Sequence, residues 1–328
     1  MTFDTIKLDK GLYTTDKGFS AALESIDPSE NYKGTELEGL DAFQRQLKRF
    51  DIKVSGGASD TVSKFFQTTD SAALFPEYVS RAVKQGIEEQ DALSKVVAAT
   101  TVIDSMDYRS IEADFSEEDL TLMEVAEGAF IPETKIKTKD ELTPLKKYGR
   151  MLVASYEAIK FQRLDLFTLM LRRIGAEISK TQMNDLIIKL MCLPIGSCSR
   201  IDPSELSYQD LLNLWAYLAP YRMTTLIAGR RTVAKIMGMS EFRDAAAGLN
   251  FHATGNMITP FGAEIICNEI LEDTDTIIGL DNRYTVEQIK AGEVATDFDK
   301  LIDRQLERAT ISAITGFSVL FKDAAAAL

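Results

Sequence analysis

The chain has 328 residues, 45% of them apolar and 27% charged, with a net charge of −13 and a single histidine. With a mean hydropathy near zero, that balance belongs to a folded globular chain of one large domain or two ordinary ones, and it excludes a disordered or fibrous polymer. An acidic chain without a long basic tract also lacks the clustered Lys and Arg that displace counterions from phosphate, so it is a poor direct reader of DNA; enclosing DNA without gripping it stays open.

The first residues, Met1 to Lys7, hold no apolar run behind a basic start, and no stretch reaches the ~20 apolar residues that cross a bilayer. No signal peptide and no membrane partner are expected, and folding in a cytoplasm is. Residues 1–36 are polar and rich in Gly, Asp, Ser and Thr without a sustained period, which predicts a mobile arm. Leu37, Leu40, Phe43, Leu47 and Phe50 then recur at steps of three and four, the mark of a short amphipathic helix. Gly56-Gly57 breaks the chain. A second helix is predicted from Pro76 to Gln85, with proline at its start and Gly86 at its stop. Val96 to Ile103 is β-branched and reads as a strand.

The middle of the chain is the most informative. Glu112 to Glu127 carries seven acids, Glu117, Glu118 and Asp119 among them, and no base. Six bases follow between residues 135 and 150 (Lys135, Lys137, Lys139, Lys146, Lys147 and Arg150) against Asp140 and Glu141 only. Residues alternate in 135–139 and 148–156, with 140–144 as a polar turn, so a long two-stranded hairpin is predicted. A hairpin with so little apolar surface is marginal alone and must lie on something, a neighbouring subunit being one candidate. Complementary charge fixes register between partners, so the six bases with Glu117, Glu118 and Asp119 are the candidate intersubunit contacts. Two adjacent solvated charge runs would read the same way.

A long helix is predicted next, Leu164 to Met191, with Phe167, Met170, Leu171, Ile174, Ile178, Met183, Ile187 and Leu190 at helical spacing. It would span ~40 Å and brace one subdomain from end to end. Beyond it the elements alternate: helices at 208–218, with the sole tryptophan Trp215, and at 232–239; strands at 224–228, 263–267 and 276–280. This is an α/β arrangement. Strands at 286–289, 307–314 and 317–321 follow, and Ala324–Ala327 reads as a frayed end.

Catalysis finds few reagents in this chain. A Ser-His-Asp triad would have to use His252, in a loop-like Asn250-Phe251-His252-Ala253-Thr254-Gly255 setting. One His and the scattered Cys192, Cys198 and Cys267 do not make a zinc site, and the odd thiols without C-x-x-C spacing read as reduced structural residues. The acidic run lacks EF-hand spacing. Gly279-Leu280-Asp281 and Gly255-Asn256 build no phosphate loop. Carboxylate pairs such as Glu117-Glu118 or Glu269–Glu272 arise by chance among 50 acids. No enzyme activity, cofactor or metal is expected.

The order of elements resembles the Hong Kong 97 capsid fold, an α+β architecture. Phe65-Phe66-Gln67-Thr68-Thr69-Asp70, Leu74-Phe75-Pro76-Glu77-Tyr78-Val79 and Arg81-Ala82-Val83-Lys84-Gln85-Gly86 are similar to stretches of tailed-phage major capsid proteins. The resemblance in element order covers about residues 50–322; the motif-like stretches cover a small share. It implies an N-terminal arm at 1–60, a peripheral (P) domain at 61–127 and 157–195 with spine helix 164–191, an extended E-loop at 128–156, an axial (A) domain at 196–280, and returning P-domain strands with a C-terminal strand at 281–328. It further implies a virion protein that assembles as hexamers and pentamers of an icosahedral shell around double-stranded DNA without sequence-specific contact. A separate scaffolding protein and a portal are the implied partners. Some relatives join subunits by a Lys–Asn bond; Lys135, Lys137 and Lys139 lie in the right region, but no matching Asn and acid pair is found, so no crosslink is expected. An encapsulin-like cargo compartment and a soluble α/β enzyme are the alternatives.

Overall fold

Apolar spacing and capping residues set where the chain of the computed structural model coils and where it extends. Described here are residues 3–14, 18–112, 122, 124–125, 127–128, 137–155, 161–192, 195–200, 206–243, 257–292, 294–301 and 306–328. In chain order the helices are α1 (Gly18–Ile26), α2 (Ala42–Arg49), α3 (Thr69–Ala72), α4 (Phe75–Glu89), α5 (Leu164–Cys192), α6 (Tyr208–Tyr217), α7 (Arg230–Met237) and α8 (Ser240–Arg243). The strands are β1 (Ala99–Ile103), β2 (Ile111–Glu112), β3 (Lys137–Thr138), β4 (Leu145–Ser155), β5 (Gly196–Ser197), β6 (Thr225–Ala228), β7 (Glu264–Cys267), β8 (Ile277–Leu280), β9 (Val286–Ala291), β10 (Ala295–Leu301), β11 (Leu306–Val319) and β12 (Ala325–Ala327).

The chain divides into two compact units. The first takes residues 1–90, 148–178 and 294–313. Its core joins Phe43 and Leu47 of α2, Phe65, Phe75, Tyr78, Val79 and Val83 near and on α4, and Leu164, Leu171 and Ile178 of α5. The expected mobile arm is not one: Ile6, Leu8, Phe19 and Leu23 are buried in the same core. Few apolar residues are needed there because polar groups do the fastening. Arg45 of α2 is fully buried, its Nε donating to Asp27 Oδ2 at 2.7 Å and its guanidinium lying 4.3 Å from the Tyr32 ring centre. Asp41 caps α2 reciprocally with Gln44, satisfying two otherwise orphaned donors; Leu37 and Leu40 fall before that cap, outside the helix.

Gly86, expected to stop α4, lies inside it and serves close packing. A Cβ there would stand 2.1 Å from the carbonyl oxygen of Arg172, and one on Gly175 of α5 would stand 2.1 Å from that of Val83. The two helices touch backbone to backbone at a reciprocal pair of glycines. In this unit β10 pairs antiparallel with β11, Ala295 opposite Ser312, and Leu152 of β4 packs on the core.

The second unit takes residues 91–147, 179–293 and 314–328 and has two cores. Its sheet runs β5-β12-β8-β6-β7. Alternate residues face opposite ways: Ile227, Ile278 and Ala325 meet Met183, Leu186, Ile187 and Leu190 of α5, while Leu226, Ala228, Ile277 and Ala326 meet Leu211 and Leu214 of α6 and Val233 and Ile236 of α7. The alanines expected to fray are therefore an interior strand, pairing β8 on one side and β5 on the other. Alanine carries no strand signature of its own, and only its neighbours assign it. A second set of strands places β1 parallel to β9 and β9 antiparallel to β11. β11 is one strand where two were expected; Gly316 breaks the apolar pattern, not the strand, because a Cβ there would stand 2.8 Å from the Pro144 carbonyl oxygen.

α5 was expected to brace one subdomain. Instead Leu164, Leu171 and Ile178 serve the core of the first unit and Met183 to Leu190 that of the second.

Candidate intersubunit surface

The expected hairpin does not form among the described residues. β3 pairs with β2, Glu112 opposite Lys137 and Ile111 opposite Thr138, and β4 pairs with β11. Residues 139–143 are tied to 108–110 by backbone bonds from Lys139 N to Ser110 O and Thr143 N to Tyr108 O, each 2.8 Å. Alternation in a strand reports two faces and says nothing of which strand lies beside it.

The six candidate bases separate accordingly. Lys135, with Glu117, Glu118 and Asp119, lies outside the described residues. Lys139 is half-buried and its Nζ donates to Ser318 Oγ at 3.1 Å and Val319 O at 2.6 Å. Lys146 makes an ion pair with Asp185 of α5 at 3.1 Å. Lys137, Lys147 and Arg150 are exposed. Lys146 is exposed as well, so four of the five described bases are on the surface, and two of the five, Lys139 and Lys146, are engaged within their own chain.

Behind β2 and β3 stands a buried carboxylate that the sequence does not advertise. Glu287 of β9 is 6% exposed and accepts from Thr101 Oγ1 at 2.6 Å, Tyr108 OH at 2.5 Å and Ser110 Oγ. Burial, then the Glu287 hydrogen bond, push the Tyr108 phenol up. A carboxylate held by three hydroxyls fixes the 101–110 segment on the sheet. Its signal in the sequence is one Glu within an otherwise strand-like run, too weak to single out.

Apolar surface is the larger omission. Phe161, Leu166, Leu169 and Met170 are all more than half exposed, as are Met151 and Val153 on the outward face of β4. Met170 was one of the residues whose spacing predicted the helix. The first half of α5 is apolar on two faces, one carrying Leu164, Leu171 and Ile178, the other Leu166, Leu169 and Met170, so periodicity marks a helix without marking its buried side. Exposed apolar clusters of this kind mark contact surfaces.

Among the described residues no three His, Cys, Asp or Glu side chains are grouped to hold a metal, and no helix is long and apolar enough to cross a membrane. Cys192 is exposed, Cys198 and Cys267 half-buried, and none is in a disulfide. His252 lies outside the described residues.

No family model matches the sequence, and no curated protein does. Solved structures do match. The capsid of a native GTA particle superposes with a TM-score of 0.54 at 13% identity, over 72% of this chain and 90% of that one. The virus-like particle from Pyrococcus furiosus gives 0.50 at 15%, over 77% and 98%. The capsid of the cyanophage P-SCSP1u gives 0.50 at 13%, over 73% and 87%. This is the Hong Kong 97 type capsid fold. Nearly the whole length of those capsid chains is accounted for, so the Hong Kong 97 likeness is one of architecture and not of a shared motif.

Proposed function

We propose that this chain is the shell-forming major capsid protein of a tailed phage, assembling with copies of itself into a closed icosahedral shell around double-stranded DNA and catalysing nothing. The observation that carries the reading is the match of fold over nearly the full length of capsid chains. Its net charge of −13 suits a wall that encloses DNA without gripping it. In this reading residues 128–156 are the E-loop, α5 the spine helix, and the β5-β12-β8-β6-β7 sheet the heart of the A domain, with β12 added to it. A separate scaffolding protein and a portal complete the assembly, in the host cytoplasm.

Burying a Leu, Met or Phe side chain is worth ~1.5–3 kcal/mol, an exposed ion pair ~0.2–1 kcal/mol. Contact affinity therefore comes from Leu166, Leu169, Met170, Met151 and Val153, while Lys137, Lys147 and Arg150, with Lys135, set register against Glu117, Glu118 and Asp119 of a neighbouring copy. Electron microscopy of the purified protein should show closed shells with nuclease-protected DNA. A copurified enzyme in place of DNA points to a cargo compartment, and a chain that stays monomeric at high concentration refutes the shell. Lys147→Glu with Arg150→Glu should lower assembly yield and its response to added salt together.

A further inference from the structure

The segment from β1 to β2 has its polarity turned inside out. Thr101, Tyr108 and Ser110 send their hydroxyls to the buried Glu287 carboxylate, while Val102, Met106 and Ile111 are 67%, 54% and 47% exposed. With hydroxyls filling the inward positions, the apolar side chains of the same stretch are left on the surface. β1 has β9 on one side and no described strand on the other, so its backbone edge is open as well. Apolar side chains gathered on a surface in this way mark a contact.

Charge narrows the choice of partner. Asp104 stands between Val102 and Met106, and Asp107 follows; both are exposed, and neither carboxylate has a partner among the described residues. Arg109 is the only base between residues 99 and 112. β4 is alike in apolar character and opposite in charge. Its Met151 and Val153 are 52% and 53% exposed, Lys147 shares their face by strand alternation, Arg150 is exposed beside them, and the strand holds no acid. Lys147 and Arg150 also lack a partner among the described residues. A heterologous contact between identical chains joins two different surfaces, one from each copy. These two match in both respects.

We propose that the 102–107 stretch of one copy is the seat for β4 of a second copy. Val102 and Met106 pack on Met151 and Val153, and Asp104 and Asp107 draw Lys147 and Arg150. The apolar pairs hold the contact, and the charges fix which way β4 lies. This rests on the shell reading and extends the acidic surface that β4 meets back to Asp104, ahead of the 112–127 run.

Assembly of the full-length protein, followed by light scattering and counted as closed shells by electron microscopy, carries the test. Asp104→Lys with Asp107→Lys should lower the shell yield severalfold at low salt, as Lys147→Glu with Arg150→Glu should. The four changes together should restore most of it. All four side chains are exposed, so each variant should melt with the wild type as a dispersed subunit. Oxidation of the wild-type protein by hydrogen peroxide needs no variant: Met106 and Met151 should form sulfoxide severalfold more slowly in shells than in dispersed subunits. Reversed pairs whose combination assembles no better than either alone overturn the match, as does an Asp104 and Asp107 reversal without effect. A Met106 as reactive in shells as in subunits overturns the seat. In each of those cases wild-type shells still form and the shell reading stands; a wild-type protein that forms none removes that reading and this contact with it.

Discussion

Replacing Gly175 by alanine tests the packing of the first unit most sharply. The new Cβ would sit 2.1 Å from the Val83 carbonyl oxygen and 2.9 Å from the Ile87 nitrogen. Both obstacles are helix backbone, which cannot swing aside as a side chain can, so α4 and α5 must part by roughly 1 Å. Overpacking of this kind costs ~1–3 kcal/mol, and contact with backbone puts it near the top of that range. Alanine returns roughly 1 kcal/mol of helix propensity over glycine. The net loss is about 2 kcal/mol, a melting temperature lower by roughly 5 °C. Thermal denaturation of dispersed subunits by far-ultraviolet circular dichroism measures it. Gly57→Ala is the control, since nothing lies within 4 Å of a Cβ there. A Gly175→Ala protein that melts at or above the wild type would refute the close crossing.

Three further outcomes follow from the same coordinates. Arg45→Met leaves Asp27 buried without its cation and should cost about 3–5 kcal/mol, whereas the Arg45→Met/Asp27→Asn pair should recover part of that loss; urea denaturation decides, and a single variant as stable as the wild type sinks the account. Burial pushes the Asp281 carboxyl up, but hydrogen bonds from the Arg283 side chain and from the backbone N–H groups of Arg283 and Arg222 outweigh it and hold it below the usual range. A depressed carboxyl contributes stability that is present above the unfolded value of ~3.9 and lost as pH falls through the folded one. Asp281→Asn should therefore show a shallower fall of urea midpoint between about pH 5 and pH 2, and matching slopes count against the assignment. Ending the chain after Asp323 removes β12 and exposes β8 and β5 to solvent; the truncated protein should lose its cooperative melt, and an unchanged melt would restore the frayed-end reading.

Local order was legible wherever one face of an element differs from the other or a breaker stands at its end. The long helix was expected at 164–191 and runs Leu164–Cys192, and the short strands at 225–228, 264–267 and 277–280 fall within a residue of the expected spans. A single histidine and the lack of a glycine-rich phosphate loop were the grounds in the sequence for expecting no enzyme. Of the candidate contacts, Lys137, Lys146, Lys147 and Arg150 are exposed, because short-range charge patterning survives folding when nothing buries it.

Partnership is what the sequence by itself did not carry. β4 alternates as a hairpin arm would, yet it lies beside β11, more than 150 residues away. Lys139 and Lys146 read like the other bases of the stretch but are engaged within their own chain. Residues 3–36 look unstructured because their fastening is Arg45 with Asp27 and Tyr32, three residues that show no period. Hydrophobic periodicity reports how one segment divides its own surface. Which surfaces meet depends on long-range strand register, on backbone contacts that only Gly86 and Gly175 permit, and on charges brought together from distant segments. Those choices are made by the folded chain as a whole, and tertiary structure alone records them.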